Sequence, residues 1–331
     1  MTANTWADEL LALAPGEDDR FEALALRAYR HQQAHNPVYH RYCKEKNVES
    51  WSTVPFLPVE AFKHAPVVTF PSDNAAHVFK SSGTGRSARS THHVKSLRLY
   101  ERVFSAHFAD AVGRGPFTFV AHLPHYADQG ETSSLLYMVE GLIERYGDAG
   151  SGFFLDDRAP LHDAIAHSRA HGTPFLLFGA AFGLLDLIED GAIQLPADAL
   201  VIETGGMKTY RQSVTRDELH RRLSDGLGVP EARVWSEYGM CELMSQCYTR
   251  GDRVFYPPPW MRVRVVNPEH PEAEQPEGVP GALAVFDLAN VFTVSALMTQ
   301  DRAVRRGNGF EVLGRLTDAE LRGCNFLLED A

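Results

Sequence analysis

A short segment rich in glycine and hydroxyl side chains, Ser81-Ser82-Gly83-Thr84-Gly85, has the composition of a phosphate-binding loop. Glycine lets the backbone approach a ligand closely. Successive backbone N–H groups in such a turn form an anion-binding nest, and the hydroxyl groups add donors for phosphate oxygens. The segment lacks the Gly-Lys-Ser/Thr of P-loop proteins. A solvated loop has a similar composition, so both interpretations stay open for this segment alone.

Two further segments follow predicted strands, where open α/β sheets bind their ligands. Glu203-Thr204-Gly205-Gly206 ends in a glycine turn against which a flat ring could stack. Glu237-Tyr238-Gly239-Met240-Cys241-Glu242 brings an aromatic ring, a glycine and a carboxylate together. The Glu242 carboxylate could hold Mg²⁺ on a phosphate, because carboxylates suit this hard cation. The alternatives are a tight turn for the first segment and a helix N-terminus for the second.

Two candidate residues lie near the C-terminus of the chain. Asp301, in the segment 298–302 after an apolar run, could accept the hydroxyl groups of a ribose, or it could be a turn aspartate. Arg315 ends the segment 310–315 and offers a guanidinium fork that fits phosphate or carboxylate. An isolated arginine also forms surface ion pairs, which is the alternative for Arg315.

The composition is that of an ordinary globular protein, with 331 residues, 44% hydrophobic and 23% charged. A net charge of −11 argues against a nucleic-acid partner. The four cysteines are irregularly spaced, which predicts neither a disulfide framework nor a zinc site. The N-terminus lacks a secretory signal, and no apolar run reaches the ~20 residues of a membrane span. We therefore expect a cytoplasmic protein without a membrane partner.

The hydrophobic pattern predicts an α/β fold of mainly parallel strands flanked by helices. Helices are expected on either side of a Pro15-Gly16 break, and then in alternation with strands, at 100–111, 134–146, 160–171 and 215–227, with strands at 117–121, 173–179, 200–206 and 232–236. Alternation at 261–266 and 282–288 predicts a small antiparallel β region. We expect an α/β core over 1–252 and a β-rich subdomain over 253–331.

In this order the segments resemble the motifs of the adenylate-forming superfamily, which activates carboxylic acids with ATP as acyl-AMP. Within it the chain is similar to the acyl-protein synthetases of bacterial bioluminescence, the ATP-dependent component of fatty-acid reductase. The likeness covers 56–327 and includes four further phrases: Phe79-Lys80-Ser81-Ser82-Gly83-Thr84, Ser236-Glu237-Tyr238-Gly239-Met240, Leu243-Met244-Ser245-Gln246 and Leu321-Arg322-Gly323-Cys324.

The resemblance implies the large N-terminal-type domain of these enzymes, ending at the hinge, and a set of site residues. Glu242 would hold Mg²⁺ and, with Arg315, act in catalysis. The expected ATP- and AMP-binding residues are Ser81, Ser82, Gly83, Thr84, Gly85, Gly205, Gly206, Glu237, Tyr238, Gly239, Met240, Cys241, Asp301 and Arg315. The acyl group would lie near His122, His125, Phe178 and Gly179.

Three departures from the superfamily pattern qualify this expectation. Thr84 is followed directly by Gly85, with Arg86 and Ser87 where many relatives have Pro-Lys. Cys241 replaces the usual threonine, and a thiol is a poorer donor than a hydroxyl. The sequence ends soon after the hinge-like segment, so we expect no mobile C-terminal domain and no adenylation lysine.

The resemblance also implies an acyl acceptor close to the C-terminus. In the family a cysteine there receives the acyl group as a thioester, and Cys324 is the matching candidate, with a buried position in a strand as its alternative. The expected reaction uses ATP and Mg²⁺ to activate a fatty or aryl acid and transfers the acyl group to a protein thiol, with a reductase or carrier protein as partner.

Other functions stay open at this point. The chain could be an acyl- or aryl-CoA ligase similar to the phenylacetate-CoA ligases, with CoA as the acceptor, or a ligase that loads a carrier protein. The altered residues around Thr84 and Cys241 also allow a catalytically inactive subunit that only binds ligand. A purely structural partner protein is the remaining alternative.

Overall fold

The computed structural model describes residues 2–43, 48–82, 89–124, 132–155, 157–189, 191, 193–205 and 214–317. Within these ranges the helices are α1 (Ala3–Leu11), α2 (Asp18–His35), α3 (Pro37–Cys43), α4 (Ala61–His64), α5 (Leu97–Ala111), α6 (Ser134–Tyr146), α7 (Ala159–His171), α8 (Ala181–Glu189) and α9 (Arg216–Leu227). The strands are β1 (Leu57–Pro58), β2 (His77–Lys80), β3 (Thr91–Val94), β4 (Thr118–His122), β5 (Gly152–Phe154), β6 (Phe175–Ala180), β7 (Leu200–Thr204), β8 (Val234–Tyr238), β9 (Cys247–Tyr248), β10 (Met261–Val266), β11 (Gly281–Asp287), β12 (Ala296–Arg306) and β13 (Gly309–Arg315).

The described residues form two compact units. Unit 1 takes its residues from Met1–His107, Met240–Gln246 and Tyr256–Ala331, and unit 2 from Phe108–Gly239 and Cys247–Phe255. Both ends of the chain therefore contribute to unit 1. The sequence predicts a boundary at 252/253 instead, because a change of composition along the chain does not reveal which distant segments pair.

Unit 2 is built on a six-stranded sheet in the order β5-β4-β6-β7-β8-β9. Strands β4 to β8 are parallel, and β9 joins the edge in the antiparallel direction. Helices connect the parallel strands, which confirms the predicted α/β class. Because parallel strands end at one edge, the carboxyl ends of β4, β6, β7 and β8 bring their following loops to one side of the sheet.

The helices of unit 2 bury their apolar faces on this sheet. A cluster of side chains with at most 2% exposure joins α7, α8 and α9 to the strands: Leu161, Leu184, Leu185, Leu223, Leu177, Val201 and Val234. Local signals set the ends of α9, since the Thr215 hydroxyl accepts a hydrogen bond from the Glu218 N–H (3.2 Å) and Gly228 ends the helix at φ 71°.

Unit 1 contains a five-stranded sheet in which β13, β12, β11 and β10 pair antiparallel. This is the predicted antiparallel region, to which the short β1 adds a parallel pairing of Leu57 with Leu297. A separate hairpin pairs β2 with β3, and the glycine-rich segment is the connection between these two strands. Neither β5 nor this hairpin stands out in the hydrophobic pattern, because their strands are only three and four residues long.

Asp301 lies inside strand β12, so the turn aspartate considered as its alternative is wrong. Strand β12 continues to Arg306 because its second half pairs with β13 around Gly307, whose φ is 53°. In the ranges that the structure covers, no helix is both long enough and apolar enough to cross a membrane.

Candidate active site

Glu242 lies in the segment Met240–Gln246, which has neither helical nor strand structure and belongs to unit 1. The helix N-terminus considered for Glu242 is therefore wrong. The residue is 8% exposed, although it carries a carboxylate. A carboxylate buried to this extent needs a cationic partner or a ligand, because its desolvation is costly. The buried Glu242 carboxylate is thus suited to bind a cation that enters the site together with a substrate.

Asp301 and Arg315 are direct register partners on β12 and β13. The Nε atom of Arg315 lies 3.2 Å from Oδ1 of Asp301, and the two side chains are 43% and 10% exposed. The carboxylate is thus nearly buried while the guanidinium reaches solvent. Since a guanidinium carries five N–H donors, Arg315 can contact Asp301 and still offer donors to an anion.

Glu60 is a further carboxylate close to these groups, at the start of α4. Burial raises the pKa of Glu60 above its ordinary value and the charge of Glu242 adds to the rise, while Lys63 and Arg315 oppose it. Its Oε1 atom is buried and has no hydrogen-bond partner among the described residues. Glu60, Glu242, Asp301 and Arg315 therefore form one electrostatic cluster in unit 1, which we call the carboxylate cluster.

The donor set of the carboxylate cluster fits Mg²⁺. This ion is usually held by one or two carboxylates together with substrate phosphates, and not by a cage of protein ligands. Glu242 and the unpartnered oxygen of Glu60 supply such oxygen donors. In the part of the chain that the structure covers, no group of three or more His, Cys, Asp and Glu side chains could hold a metal.

Cys241 is fixed through its backbone by a buried histidine. Nδ1 of His92, on β3, lies 2.6 Å from the carbonyl oxygen of Cys241. Burial lowers the pKa of His92 to about 4, so its imidazole is neutral and Nδ1–H is the donor. Burial also raises the pKa of the Cys241 thiol, and the charge of Glu242 adds to the effect. Cys241 is therefore a thiol at neutral pH and not a nucleophile.

The base of the glycine-rich connection is closed by two serines. The backbone N–H of Ser81 donates to the carbonyl of Ser90 (3.0 Å), and the Ser90 N–H donates to the hydroxyl of Ser81 (3.0 Å). Ser82 is exposed. These bonds bring the two ends of the segment together, as a compact anion-binding turn requires. The predicted contacts of Ser81 and Ser82 with phosphate stay predictions.

The carboxyl edge of the unit 2 sheet brings other predicted residues together. Gly205 directly follows β7 at φ 95°, and a Cβ atom there would meet no atom of the described residues within 4 Å. On the adjacent strand Tyr238 is half-buried and its ring centroid lies 5.7 Å from that of Phe255. Gly239 is exposed, and Met240 follows it as the first residue of the next unit 1 segment. Gly205 thus offers the open, bare backbone that a stacked ring would need.

The carboxyl group of Glu237 is directed at the neighbouring strand. Glu237 is 6% exposed and accepts a hydrogen bond from the hydroxyl of Thr204, its register partner on β7. Burial raises the pKa of Glu237 to about 7, and the charge of Glu203 adds to the rise. These contacts give the carboxyl a structural partner, and its predicted contact with a nucleotide stays a prediction.

A second polar group connects the same two strands to α9. The hydroxyl of Ser236 donates to Glu203, and Nε2 of His220 lies 3.0 Å from that hydroxyl and 3.5 Å from Oε1 of Glu203. Serine, histidine and carboxylate resemble a hydrolytic triad, but Ser236 is only 1% exposed and cannot meet a substrate. The group therefore holds β7, β8 and α9 together.

His122 ends β4 and meets the other predicted substrate residues at the same edge. Gly179 is its register partner on β6, and a Cβ at Gly179 would lie 2.7 Å from Leu184 and 3.3 Å from His122. Nδ1 of His122 is buried with no hydrogen-bond partner among the described residues, and burial lowers the pKa of its imidazole. Phe178 is fully buried beside Phe119, and its predicted contact with the acyl group stays a prediction.

Several predicted site residues lie outside the described ranges. They are Gly83, Thr84, Gly85, Gly206, His125 and Cys324. Their predicted roles stay predictions.

The sequence pattern does not single out Glu60, His92, Asp287 or Asn290, although each contributes to the surroundings of Glu242. Weak signals exist in retrospect. Glu60 follows an apolar run directly, and Asp287 and Asn290 interrupt the long apolar stretch 281–298. Buried strands seldom carry such residues without a partner, so an interruption of this kind indicates a polar contact.

The chain resembles solved structures of acid-activating ligases. It matches 2-hydroxyisobutyryl-CoA ligase, solved with 2-HIB-AMP and CoA, at a TM-score of 0.64 and 13% identity over 93% of this chain and 76% of that one. It matches ATP-bound MatB from Rhodopseudomonas palustris at a TM-score of 0.53 and 18% identity, covering 75% of this chain and 49% of that one. At these identities the likeness shows a shared fold.

A search of curated protein sequences gives no significant match. The family model described as "Acyl-protein synthetase, LuxE" matches residues 8–331, which is nearly the whole chain. The residues of the carboxylate cluster and Gly205 all lie within the matched range. This chain belongs to the LuxE acyl-protein synthetase family.

Proposed function

We propose that this protein activates a carboxylic acid with ATP as acyl-AMP and transfers the acyl group to a protein thiol. The observation that carries the proposal is the carboxylate cluster, in which the nearly buried Asp301 is paired with a half-exposed Arg315 and the buried Glu242 has no ion pair among the described residues. The LuxE family match over residues 8–331 supports the same chemistry.

In the first step a substrate carboxylate oxygen would form a bond to the α-phosphorus of ATP, and the bond from that phosphorus to the bridging oxygen would break. Pyrophosphate leaves with the electron pair. The chain then has little covalent chemistry to perform, and catalysis consists of positioning and of stabilising the phosphate charge. Arg315 would supply N–H donors to phosphate or to the acyl carboxylate, and Asp301 would accept from the ribose hydroxyl groups.

Mg²⁺, when bound with ATP, neutralises part of the phosphate charge. Glu242 would hold the ion, and the buried Oε1 of Glu60 would be a second oxygen donor on the same side. Gly205 and Tyr238 would receive the adenine ring on open backbone, while Ser81 and Ser82 would donate to phosphate oxygens. His122 would lie near the acyl carboxylate.

In the second step a thiolate would attack the acyl carbonyl carbon, forming a C–S bond, and the bond to the AMP oxygen would break. We propose Cys324 as the first acceptor, with a reductase or carrier protein as the partner that takes the acyl group onward. Cys241 is a poor candidate, since its thiol stays protonated. The cytoplasm would supply both ATP and reduced thiols.

A CoA-dependent ligase is the second candidate. The specific observation in its favour is the likeness, over 93% of this chain, to a ligase solved with CoA. The two candidates share the adenylation step and differ only in the thiol that receives the acyl group.

Pyrophosphate release is the first measurement, with Mg²⁺ and ATP across a panel of fatty and aromatic acids, together with intact-protein mass spectrometry on the same samples. Release with an acyl adduct that is lost in Cys324→Ala, and kept in Cys241→Ala, supports a protein acyl acceptor. Release without an adduct, and with acyl-CoA formed on adding CoA, favours the second candidate. Binding of ATP without release for any acid would contradict both candidates.

A further inference from the structure

The segment that carries Glu242 has few hydrogen bonds within itself that could fix its conformation. Met240–Gln246 is irregular, and its internal backbone hydrogen bond among the described contacts runs from Leu243 N–H to the Met240 carbonyl (3.1 Å). A loop of this kind is fixed only where other parts of the protein bind its backbone. The position of the Glu242 carboxylate therefore depends on groups outside the segment.

Asn290 binds the segment with both ends of its side-chain amide. Its Nδ2 donates to the carbonyl of Glu242 (2.7 Å), and its Oδ1 accepts from the N–H of Met244 (2.8 Å). Asn290 is 1% exposed. The amide therefore binds the backbone as a neighbouring strand would: its N–H donates to the carbonyl before Leu243, and its oxygen accepts from the N–H after Leu243.

Asp287 binds the same segment one residue further along. Its Oδ2 accepts from the N–H of Ser245 (2.9 Å), and its Oδ1 accepts from the Ser245 hydroxyl (2.8 Å). The Ser245 hydroxyl also accepts from Nε1 of Trp260 (2.9 Å). Asp287 is fully buried. Carboxylate–amide bonds of this type are stronger than neutral ones, so the contact is well suited to hold a backbone.

Asp287 and Asn290 lie at the two ends of a short turn whose backbone carbonyls are bound by side chains of helices α1 and α2. Asp287 also accepts from the N–H of Ala289 (2.9 Å) and thereby caps a short 3₁₀ turn, Leu288–Asn290. Nε2 of Gln32, on α2, donates to the carbonyl of Asn290 (3.1 Å), and Nε1 of Trp6, on α1, donates to the carbonyl of Leu288 (2.7 Å). These hydrogen bonds fix the turn and thereby the side chains of Asp287 and Asn290.

We propose that Asp287 and Asn290 are positioning residues that fix the backbone of Met240–Gln246 and, through it, the carboxylate of Glu242. This inference rests on the proposed function, in which Glu242 holds Mg²⁺. Neither side chain needs to touch a substrate. Their loss would let the Glu242 carboxylate move, and groups that orient a metal ligand in this way commonly account for 10- to 100-fold in metal affinity.

The test compares Asn290→Asp with Asn36→Asp. The first variant keeps the acceptor for Met244 and places an oxygen opposite the Glu242 carbonyl. Asn36 is an equally buried asparagine of the same unit; its described side-chain hydrogen bonds go to the carbonyl of Thr293 (3.1 Å) and to the N–H groups of Val38 and Tyr39, and none goes to Met240–Gln246. The two variants therefore match in chemistry and burial, and differ in the contact removed.

The first readout is hydrogen exchange of the peptide that contains Met244 and Ser245, which requires no turnover. We expect its exchange to be at least tenfold faster in Asn290→Asp than in Asn36→Asp at matched global stability. The second readout is the Mg²⁺ concentration for half-maximal pyrophosphate release, which we expect to rise at least tenfold in Asn290→Asp and less than twofold in Asn36→Asp, with kcat at saturating Mg²⁺ changed less.

Equal exchange in the two variants would overturn the inference, and so would an equal Mg²⁺ dependence. If Asn290→Asp does not fold, Ser245→Ala removes the hydroxyl contacts with Asp287 and Trp260 and keeps the backbone bond of residue 245 to Asp287. A two- to fivefold shift in each readout is expected, and no shift in either readout counts against the inference. A wild-type protein that releases no pyrophosphate with any acid contradicts the proposed function, while the exchange comparison still decides whether Asn290 fixes the segment.

Discussion

Asp301 and Arg315 face each other across β12 and β13, with 3.2 Å between Oδ1 of the carboxylate and Nε of the guanidinium. The pair joins a nearly buried anion to a cation that reaches solvent. It therefore differs from an ordinary surface ion pair, whose two partners are both exposed and which contributes little to stability. One side of the pair is protected, and the other is accessible to a ligand.

Replacing Asp301 by alanine should lower the rate of acyl-AMP formation at least about tenfold, which is roughly 1.4 kcal/mol in the barrier. The reason is the loss of the proposed ribose acceptor together with the partner that orients Arg315. Pyrophosphate release measures the rate, and thermal unfolding checks the fold. Glu311→Ala is the matched control, since Glu311 pairs with Arg306 in the same hairpin (3.4 Å). Equal rates in the two variants would remove Asp301 from the site.

Replacing Glu242 by glutamine should also lower the rate at least about tenfold, but with a different signature. The amide keeps the shape of the side chain and loses the charge that Mg²⁺ needs, so added Mg²⁺ should recover part of the rate. A titration of pyrophosphate release against Mg²⁺ makes this comparison. Asp301→Ala, assayed in parallel, should not recover, and an unchanged Mg²⁺ requirement in Glu242→Gln would contradict the proposed ligand.

The stability of the protein should fall as the pH rises from about 4.5 to about 7, because of Glu237. Its pKa is raised by burial from the ordinary 4.5 to about 7. Between these values the folded protein holds a proton that the unfolded chain releases, so raising the pH favours unfolding, by about 3 kcal/mol in total. Above pH 7 this contribution is constant.

Glu237→Gln isolates this effect, since the amide oxygen can still accept from the Thr204 hydroxyl. At pH 8 the variant should be more stable than the wild type in urea unfolding, and at pH 4.5 the two should be similar. Asp287, whose pKa burial raises to about 6, adds a change of the same sign that both proteins share. A wild type and variant with parallel stability curves would show that Glu237 is ionised in the fold.

Replacing Gly205 by alanine should weaken ATP binding at least about fivefold, if the adenine ring stacks on this backbone. A methyl group there meets no atom of the described residues within 4 Å, so an effect on binding is attributed to contact with the ligand. The positive φ of 95° costs stability, roughly 1–3 kcal/mol. Gly172→Ala, also at positive φ with open space, controls for this strain. Calorimetric ATP binding should be unchanged in the control; a similar loss in both variants would contradict stacking on Gly205.

Local patterns predict the helices and strands of this protein well. The bounds 134–146 of α6 and 261–266 of β10 are as expected, because each element carries its full hydrophobic period in its own sequence. The predicted α/β class and the antiparallel region are confirmed for the same reason. The position of Asp301 inside β12 is not recovered, since the strand is extended by pairing with β13, and such pairing is not visible in a single segment.

The surroundings of Glu242 illustrate what a sequence alone does not reveal. Asn290 contacts a carbonyl 48 residues earlier in the chain, and Gln32 contacts a carbonyl 258 residues later. Contacts at such separations follow from the tertiary fold, and the hydrophobic periodicity of the sequence does not predict them. The motif around Glu242 is recognisable because its residues are adjacent, whereas the residues that hold it are scattered over three segments.

The composition of unit 1 from both ends of the chain has a consequence for biosynthesis. Unit 2 takes its residues from Phe108–Gly239 and Cys247–Phe255, so its last strand is synthesised before β10, β11 and β12. The fully buried Trp6 and the 1% exposed Gln32 find their partners only at Leu288 and Asn290. Helices α1 and α2 are synthesised long before these partners, so their apolar faces stay uncovered by them until the 288–290 turn has been synthesised.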